Sequence, residues 1–246
     1  MATNVDKTNV QNDDRVRRCT AQLNGKTYSY LEGMPTGSPT QGTIFLEKLH
    51  SCEKLLTSCG KFHGFPDLAV GWRYQIPILL QLRFHVIAID CLGYGETDAP
   101  TTVESYSYRS LTEDVKELAA HLKVERVIAC GHDWGANLAY RLALWYPSLV
   151  SHVIAICVPY FPSQGKYIPL EELSKTVLPN FAYQLQFKNG NLERVFRSRD
   201  GIRPFLVAMF GGRDNQGNLA WDAYSGLMID KMAGLKPSGL LTDEVY

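Results

Sequence analysis

Five residues, Gly131-His132-Asp133-Trp134-Gly135, carry the clearest chemistry in the sequence. An apolar run, Val127-Ile128-Ala129-Cys130, leads into them. Leu138, Leu142 and Trp145, at spacings of four and three, lead out along one helical face. A strand, a sharp glycine-bounded turn and a helix make a nucleophile elbow, which lifts one side chain clear of a sheet. The glycines keep bulk away from the place where strand and helix come close. The residue lifted is Asp133. An ionised carboxylate needs no base to become a nucleophile, and the N-terminal end of a helix favours its charge. It suits attack on an sp3 carbon, which leaves an alkyl ester on the protein. It suits peptide or ester cleavage poorly, because the product would be a mixed anhydride. The expected reaction is displacement at carbon followed by hydrolysis of the ester. As a bare pattern Gly-x-Asp-x-Gly is also an ordinary turn, and the rest of the chain decides between the two.

The elements around the turn follow from pattern. Residues 85–90 and 152–157 are near-continuous apolar runs, the mark of buried parallel strands. Residues 126–131 make a third. Asp90 ends its strand and reads as the residue that ties down the following loop. Residues 43–46 start another strand. Residues 21–23 and 27–31, joined by Asn24-Gly25, read as a hairpin with a tight primed turn. A helix is expected around 74–82. A second carries Leu111, Val115, Leu118, Ala119 and Leu122 on one face, with Ser110 and Glu113 as a capping box. Strands alternating with helices predict an α/β fold with a doubly wound, mostly parallel sheet. The expected organisation is a disordered lead-in over 1–18, an α/β core over 19–158 and helical, Pro- and Gly-broken material over 159–246. Residues 47–62 carry no clear period and read as an atypical insertion in the core.

The totals narrow the function classes. The 246 residues carry 25 basic and 25 acidic side chains with no basic stripe, which argues against nucleic acid as a partner. No apolar stretch reaches the roughly 20 residues of a membrane span. Residues 1–18 are polar, without the apolar core of a signal peptide. Six cysteines are scattered, and Cys91, Cys130 and Cys157 read as small core residues beside buried strands. A reducing, cytoplasmic setting fits that usage. His50, Cys52, Cys59 and His63 match no zinc spacing, so no metal is expected.

The stretches HGFPDLAVGWRYQIP from His63, GYGETDAP from Gly93, GHDWG, LWYP from Leu144 and FAYQLQF from Phe181 together resemble the epoxide hydrolases of the α/β-hydrolase superfamily, most of all fungal members. The resemblance runs from about residue 15 to the end, apart from 47–62. It implies an α/β-hydrolase core with a helical cap, no metal and no organic cofactor. It implies that Asp133 is the nucleophile and that the partner is a small apolar epoxide. The backbone N–H groups of Phe65 and Trp134 would form the oxyanion hole, with His63 and Trp134 lining the substrate site. Tyr183, in the Tyr-Gln-Leu of the cap, would protonate the epoxide oxygen. The chemistry agrees, since ring opening leaves an alkoxide and a positioned phenol can supply its proton at neutral pH. From position alone Tyr183 is one rim aromatic among 13 tyrosines. His132 belongs to the turn and is not read as a base.

The family order is nucleophile, acid, then histidine. The six histidines are at 50, 63, 85, 121, 132 and 152, so none follows the expected cap. Asp222, Asp230, Asp243 and Glu244 fall in or near that cap and are not read as the triad acid. The expectation is an incomplete core, lacking its last strands, in which an ester on Asp133 would form but turn over slowly or not at all. The strand at 152–157 would then present an uncovered apolar edge that favours aggregation. Omitting 47–62 joins Leu46 to His63 as the family would have it, as translated intron sequence would. Two other readings stay open. One is a haloalkane or haloacid dehalogenase using the same aspartate. The other is a non-catalytic pseudoenzyme that binds an apolar ligand.

Overall fold

The computed structural model describes residues 6–9, 12–37, 40–48, 66–162, 165–196 and 198–238. These fall into two compact units, one running to Lys48 and from Pro66 to Phe161, the other beginning at Pro162.

The first unit is a six-stranded sheet with helices. β1 (Val16–Leu23) and β2 (Lys26–Gly33) form an antiparallel hairpin. Its turn has Asn24 and Gly25 both at positive φ, 48° and 78°, as a primed turn requires. β3 (Gly42–Lys48), β4 (Phe84–Asp90), β5 (Val127–His132) and β6 (Val150–Ile156) follow. The spatial order is β1-β2-β4-β3-β5-β6, antiparallel at β1–β2 and β2–β4 and parallel from β4 to β6. The α/β, mostly parallel sheet expected from the alternation of elements is therefore present, with its antiparallel part confined to one side.

Helices α1 (Gln75–Gln81), α2 (Tyr108–His121) and α3 (Trp134–Trp145) complete this unit. One face of the sheet packs Ile44, Leu46, Val86, Ala88 and Cys130 against Trp72, Ile76 and Leu80. The other face receives α2 and α3. α2 buries Leu111, Val115, Leu118 and Ala119, the face read from its period. Its cap lies one turn earlier than the Ser110 box. Ser107 is the N-cap and its hydroxyl accepts from the Ser110 N–H at 3.2 Å. Ser107 holds the extended backbone a cap needs, whereas Ser110 is already helical.

Three sequence expectations shift. The lead-in is shorter than residues 1–18, because β1 begins at Val16. Arg17 and Arg18 disguise its period, yet each finds a carboxylate, Glu32 and Asp90 respectively. Thr8 is buried and its N–H donates to the Arg73 carbonyl at 2.7 Å. β3 runs on through Glu47 and Lys48, the first two residues of the stretch read as an insertion. Cys157 is exposed rather than in the core, at φ 70° just past β6. β6 is an edge of the sheet, and Ile154 and Ile156 on it are exposed too.

The second unit is mostly short helices: α4 (Leu170–Thr176), α5 (Gln184–Lys188), α6 (Asn191–Val195) and α7 (Arg199–Met209). A small hairpin of β7 (Trp221–Asp222) and β8 (Gly226–Leu227) follows. Phe205 of α7 meets Phe187 and Phe196 at ring separations of 6.3 and 5.5 Å. The Gln186 side chain holds the hairpin, accepting from the Leu227 N–H at 2.8 Å and donating to the Leu227 carbonyl at 3.1 Å. Among the described residues no helix is long and apolar enough to cross a membrane.

Candidate active site

Asp133 sits where β5 gives way to α3. It is 2% exposed and acts as the N-cap of the 12-residue α3, with φ 57° and ψ −119°. That backbone is costly for a residue with a Cβ, of order 1–3 kcal/mol, and persists only where its surroundings enforce it. The enforcing contacts are on both sides. The Asp133 N–H donates to the Ile156 carbonyl at 3.1 Å, and its carbonyl accepts from the Ala136 N–H at 3.0 Å. Gly131 is obligatory for a different reason. A Cβ there would lie 2.1 Å from the Gly135 carbonyl oxygen and 2.4 Å from the Ala136 nitrogen, well inside contact distance. Strand and helix therefore approach closely at Gly131, as the glycine-bounded turn predicts.

The start of α3 gives this carboxylate a favourable field. The first backbone N–H groups of a helix lack intrahelical acceptors, and the helix dipole places partial positive charge there. Trp134 is the first residue of α3, so its N–H is one of these groups. The Trp134 indole is buried, and its Nε1 has no hydrogen-bond partner among the described residues. A buried N–H left in that state is a donor available to an anion or a polar ligand atom.

Asp90 fixes the neighbouring loop, as the sequence reading expects. Its Oδ1 accepts from the Ala69 N–H at 2.7 Å and its Oδ2 from Arg18 Nη1 at 2.7 Å. Thr97 Oγ1 donates to the Asp90 carbonyl at 2.7 Å and accepts from the Ser29 N–H at 2.9 Å. His132 ends β5 and is half-buried. His63 and Phe65 lie outside the described residues, as do His50, Cys52 and Cys59. Among the described residues no three His, Cys, Asp or Glu side chains group closely enough to hold a metal ion.

Tyr183 belongs to the helical unit. It is 1% exposed, precedes α5, and meets Trp221 edge-to-face at 5.8 Å. The next residue, Gln184, is a candidate that sequence reasoning passes over. It is 0% exposed, and neither atom of its side-chain amide has a hydrogen-bond partner among the described residues. A glutamine within a Leu- and Phe-rich stretch carries no periodic signal of its own. Only its burial without partners marks it as an amide able to serve a ligand.

Comparison with known proteins agrees with this geometry. Residues 62–216 match the family model described as alpha/beta hydrolase fold. "Epoxide hydrolase srdG" of Neurospora crassa is 39% identical over 189 residues, covering 74% of this chain and 55% of that protein. "Epoxide hydrolase A" of Mycobacterium tuberculosis is 36% identical over 152 residues, covering 58% of this chain and 47% of that protein. The crystal structure of Epoxide Hydrolase A from Mycobacterium thermoresistibile superposes with a TM-score of 0.66 at 26% identity, covering 93% of this chain and 66% of that one. The chain thus spans about half the length of these two curated relatives. With a strained aspartate at a strand–helix turn, a mostly parallel sheet and a family match over residues 62–216, the chain belongs to the α/β hydrolase fold family.

Proposed function

We propose that the chain carries the nucleophile half of an epoxide hydrolase. The observation that carries this reading is Asp133, a carboxylate held at positive φ on the turn into α3. An Asp133 carboxylate oxygen attacks one epoxide carbon. The new C–O bond is the alkyl ester, and the ring C–O bond breaks towards the epoxide oxygen. That oxygen takes a proton from the Tyr183 hydroxyl. In the second step water adds to the carboxyl carbon of the ester. The backbone N–H groups of Trp134 and Phe65 receive the charge on its carbonyl oxygen. Collapse breaks the ester C–O bond to the alkyl carbon's oxygen; one proton of the water goes to that departing alkoxide and the other restores the Tyr183 phenol, leaving the Asp133 carboxylate and a vicinal diol. The substrate class is a small apolar epoxide, in keeping with the relatives whose names state that activity.

The second step needs an activated water. Until that water attacks, the ester stays on Asp133, where it can be detected. Incubation with styrene oxide, followed by proteolysis and mass spectrometry, tests the reading. The expected result is one equivalent of adduct on the peptide bearing Asp133, absent in Asp133→Asn. An adduct elsewhere, or neither adduct nor diol, overturns it.

The buried Trp134 Nε1 favours one second reading, a dehalogenase in which that N–H holds the departing halide. Offering a bromoalkane beside the epoxide separates the two. Alkylation of Asp133 by the bromide alone assigns the dehalogenase.

A further inference from the structure

Glu47 is buried at the centre of the sheet, with 0% exposure. Neither of its carboxyl oxygens has a hydrogen-bond partner among the described residues. The strand register sets it between Ile89 of β4 and Gly131 of β5. Residues in register on neighbouring strands leave a sheet on the same face. Glu47 therefore shares the face of Gly131, over which the first turn of α3 passes. Asp133 follows two residues after Gly131.

Among the described residues the ionisable neighbours offer no hydrogen-bonded compensation. β4 ends at Asp90, already committed to Arg18 and the Ala69 N–H, and the buried Cys91 follows it. β5 contributes the buried Cys130, then His132, with Asp133 just beyond. The turn at Ala69–Trp72 carries no charged residue, and in α3 the first is Arg141. Lys48 follows Glu47 on β3 itself. Burial without a hydrogen-bonded cation penalises the ionised form, and it pushes the Glu47 carboxyl up to about 8.

We propose that Glu47 is a proton-binding switch beside the nucleophile turn, neutral in the folded chain at neutral pH, whose ionisation loosens the β3–β5 layer that positions Asp133. The sign follows from linkage. An unfolded glutamate loses its proton near 4.5, while the folded chain keeps it to about 8. Between those values the folded state binds the extra proton, so stability falls as pH rises and the loss levels off above them.

The test compares the 246-residue chain with Glu47→Gln, whose amide mimics the neutral acid. Urea unfolding is measured from pH 5 to pH 9. The folded-to-unfolded ratio of the parent should fall relative to the variant by up to about tenfold per pH unit. Parallel curves for the two proteins at every pH overturn the proposal. A second measurement needs no variant. In the parent labelled with 13C at the glutamate carboxyl, one resonance should titrate far above the rest. If every glutamate resonance titrates in the ordinary range, the proposal fails. Neither readout uses an epoxide, so a failed function assay leaves this test intact.

Discussion

Two glutamates on the same face of the sheet are treated in opposite ways. Glu32 on β2 registers with Ile87, Ile87 with Phe45, and Phe45 shares its face with Glu47. Yet Glu32 is met by Arg17 Nη2 at 2.6 Å and by His85 Nε2 at 3.0 Å. Burial works to raise its carboxyl, but hydrogen bonds from Arg17 and His85 outweigh that and hold it below the ordinary 4.5. The hairpin side of the sheet repeats the pattern at Asp114 of α2. It accepts from Tyr28 at 2.6 Å, from Lys26 at 2.7 Å and from Asn24 at 2.9 Å. Glu47, two strands away at the parallel centre, has no such partner among the described residues. The antiparallel edge is satisfied and built for stability. The parallel centre carries the strained Asp133 and a carboxyl with no hydrogen-bond partner among the described residues, as sites of chemistry tend to.

Substitutions can break this contrast, and their effects should fall in order. Asp133→Asn should lower ester formation by at least roughly a thousandfold with the fold retained, because the nucleophile itself is lost. Intact-protein mass spectrometry beside circular dichroism reads both halves, and an alkylated Asn variant would dismiss Asp133. Asp114→Ala should cost about 3 kcal/mol, since it strips the half-buried Lys26 of its carboxylate and the buried Tyr28 hydroxyl of its acceptor. If chemical denaturation shows a change below about 1 kcal/mol, the hairpin edge is not the stable side claimed. Gly131→Ala should cost about as much, roughly 3 kcal/mol, through overpacking against the Gly135 carbonyl. Full alkylation of Asp133 in that variant would show that the close approach of strand and helix is dispensable.

The pH dependence sharpens the same comparison. Glu32 has a depressed folded pKa, so its stabilisation is present above about 4.5 and is lost as pH falls. Glu32→Gln should therefore flatten the acid limb of stability, where Glu47→Gln flattens the fall towards alkaline pH. Unfolding midpoints from pH 3 to pH 6 decide it, and an unchanged acid limb would refute the role given to Arg17 and His85. The smallest effect belongs to the helical unit. Gln186→Ala removes the clamp on β8 and should cost about 1 kcal/mol. The readout is faster amide exchange at Leu227, and unaltered protection there would mean the hairpin holds without the clamp.

Much of the core was legible because its signals are local. Asn24-Gly25 marked a turn whose positive φ values the hairpin uses. The period of α2 gave its buried face, though not its cap, because Ser107 and Ser110 are equally good caps until the backbone chooses between them. Thr8, Cys157 and Gln184 were misread or missed for one reason. Their burial depends on residues distant in sequence, which composition and period do not encode. The roles proposed for Tyr183, Phe65 and His63 came from family motifs, since a tyrosine, a phenylalanine or a histidine in isolation has no chemical signature.

The sequence by itself determined the chemistry on offer. Asp133 between two glycines, after an apolar run and before a helical period, specifies a carboxylate on a sharp turn, because strand, glycine and helix signals all act within a few residues. Only the tertiary structure decided how that turn is enforced and which acids keep their protons. The Ile156 carbonyl that holds the Asp133 N–H comes from another strand. The Arg17 and His85 that ionise Glu32 come from two more. That Glu47 is buried with no hydrogen-bond partner among the described residues is a property of packing, and no stretch of sequence carries it. A carboxyl's charge depends on what surrounds it in space, and register, not composition, selects those surroundings.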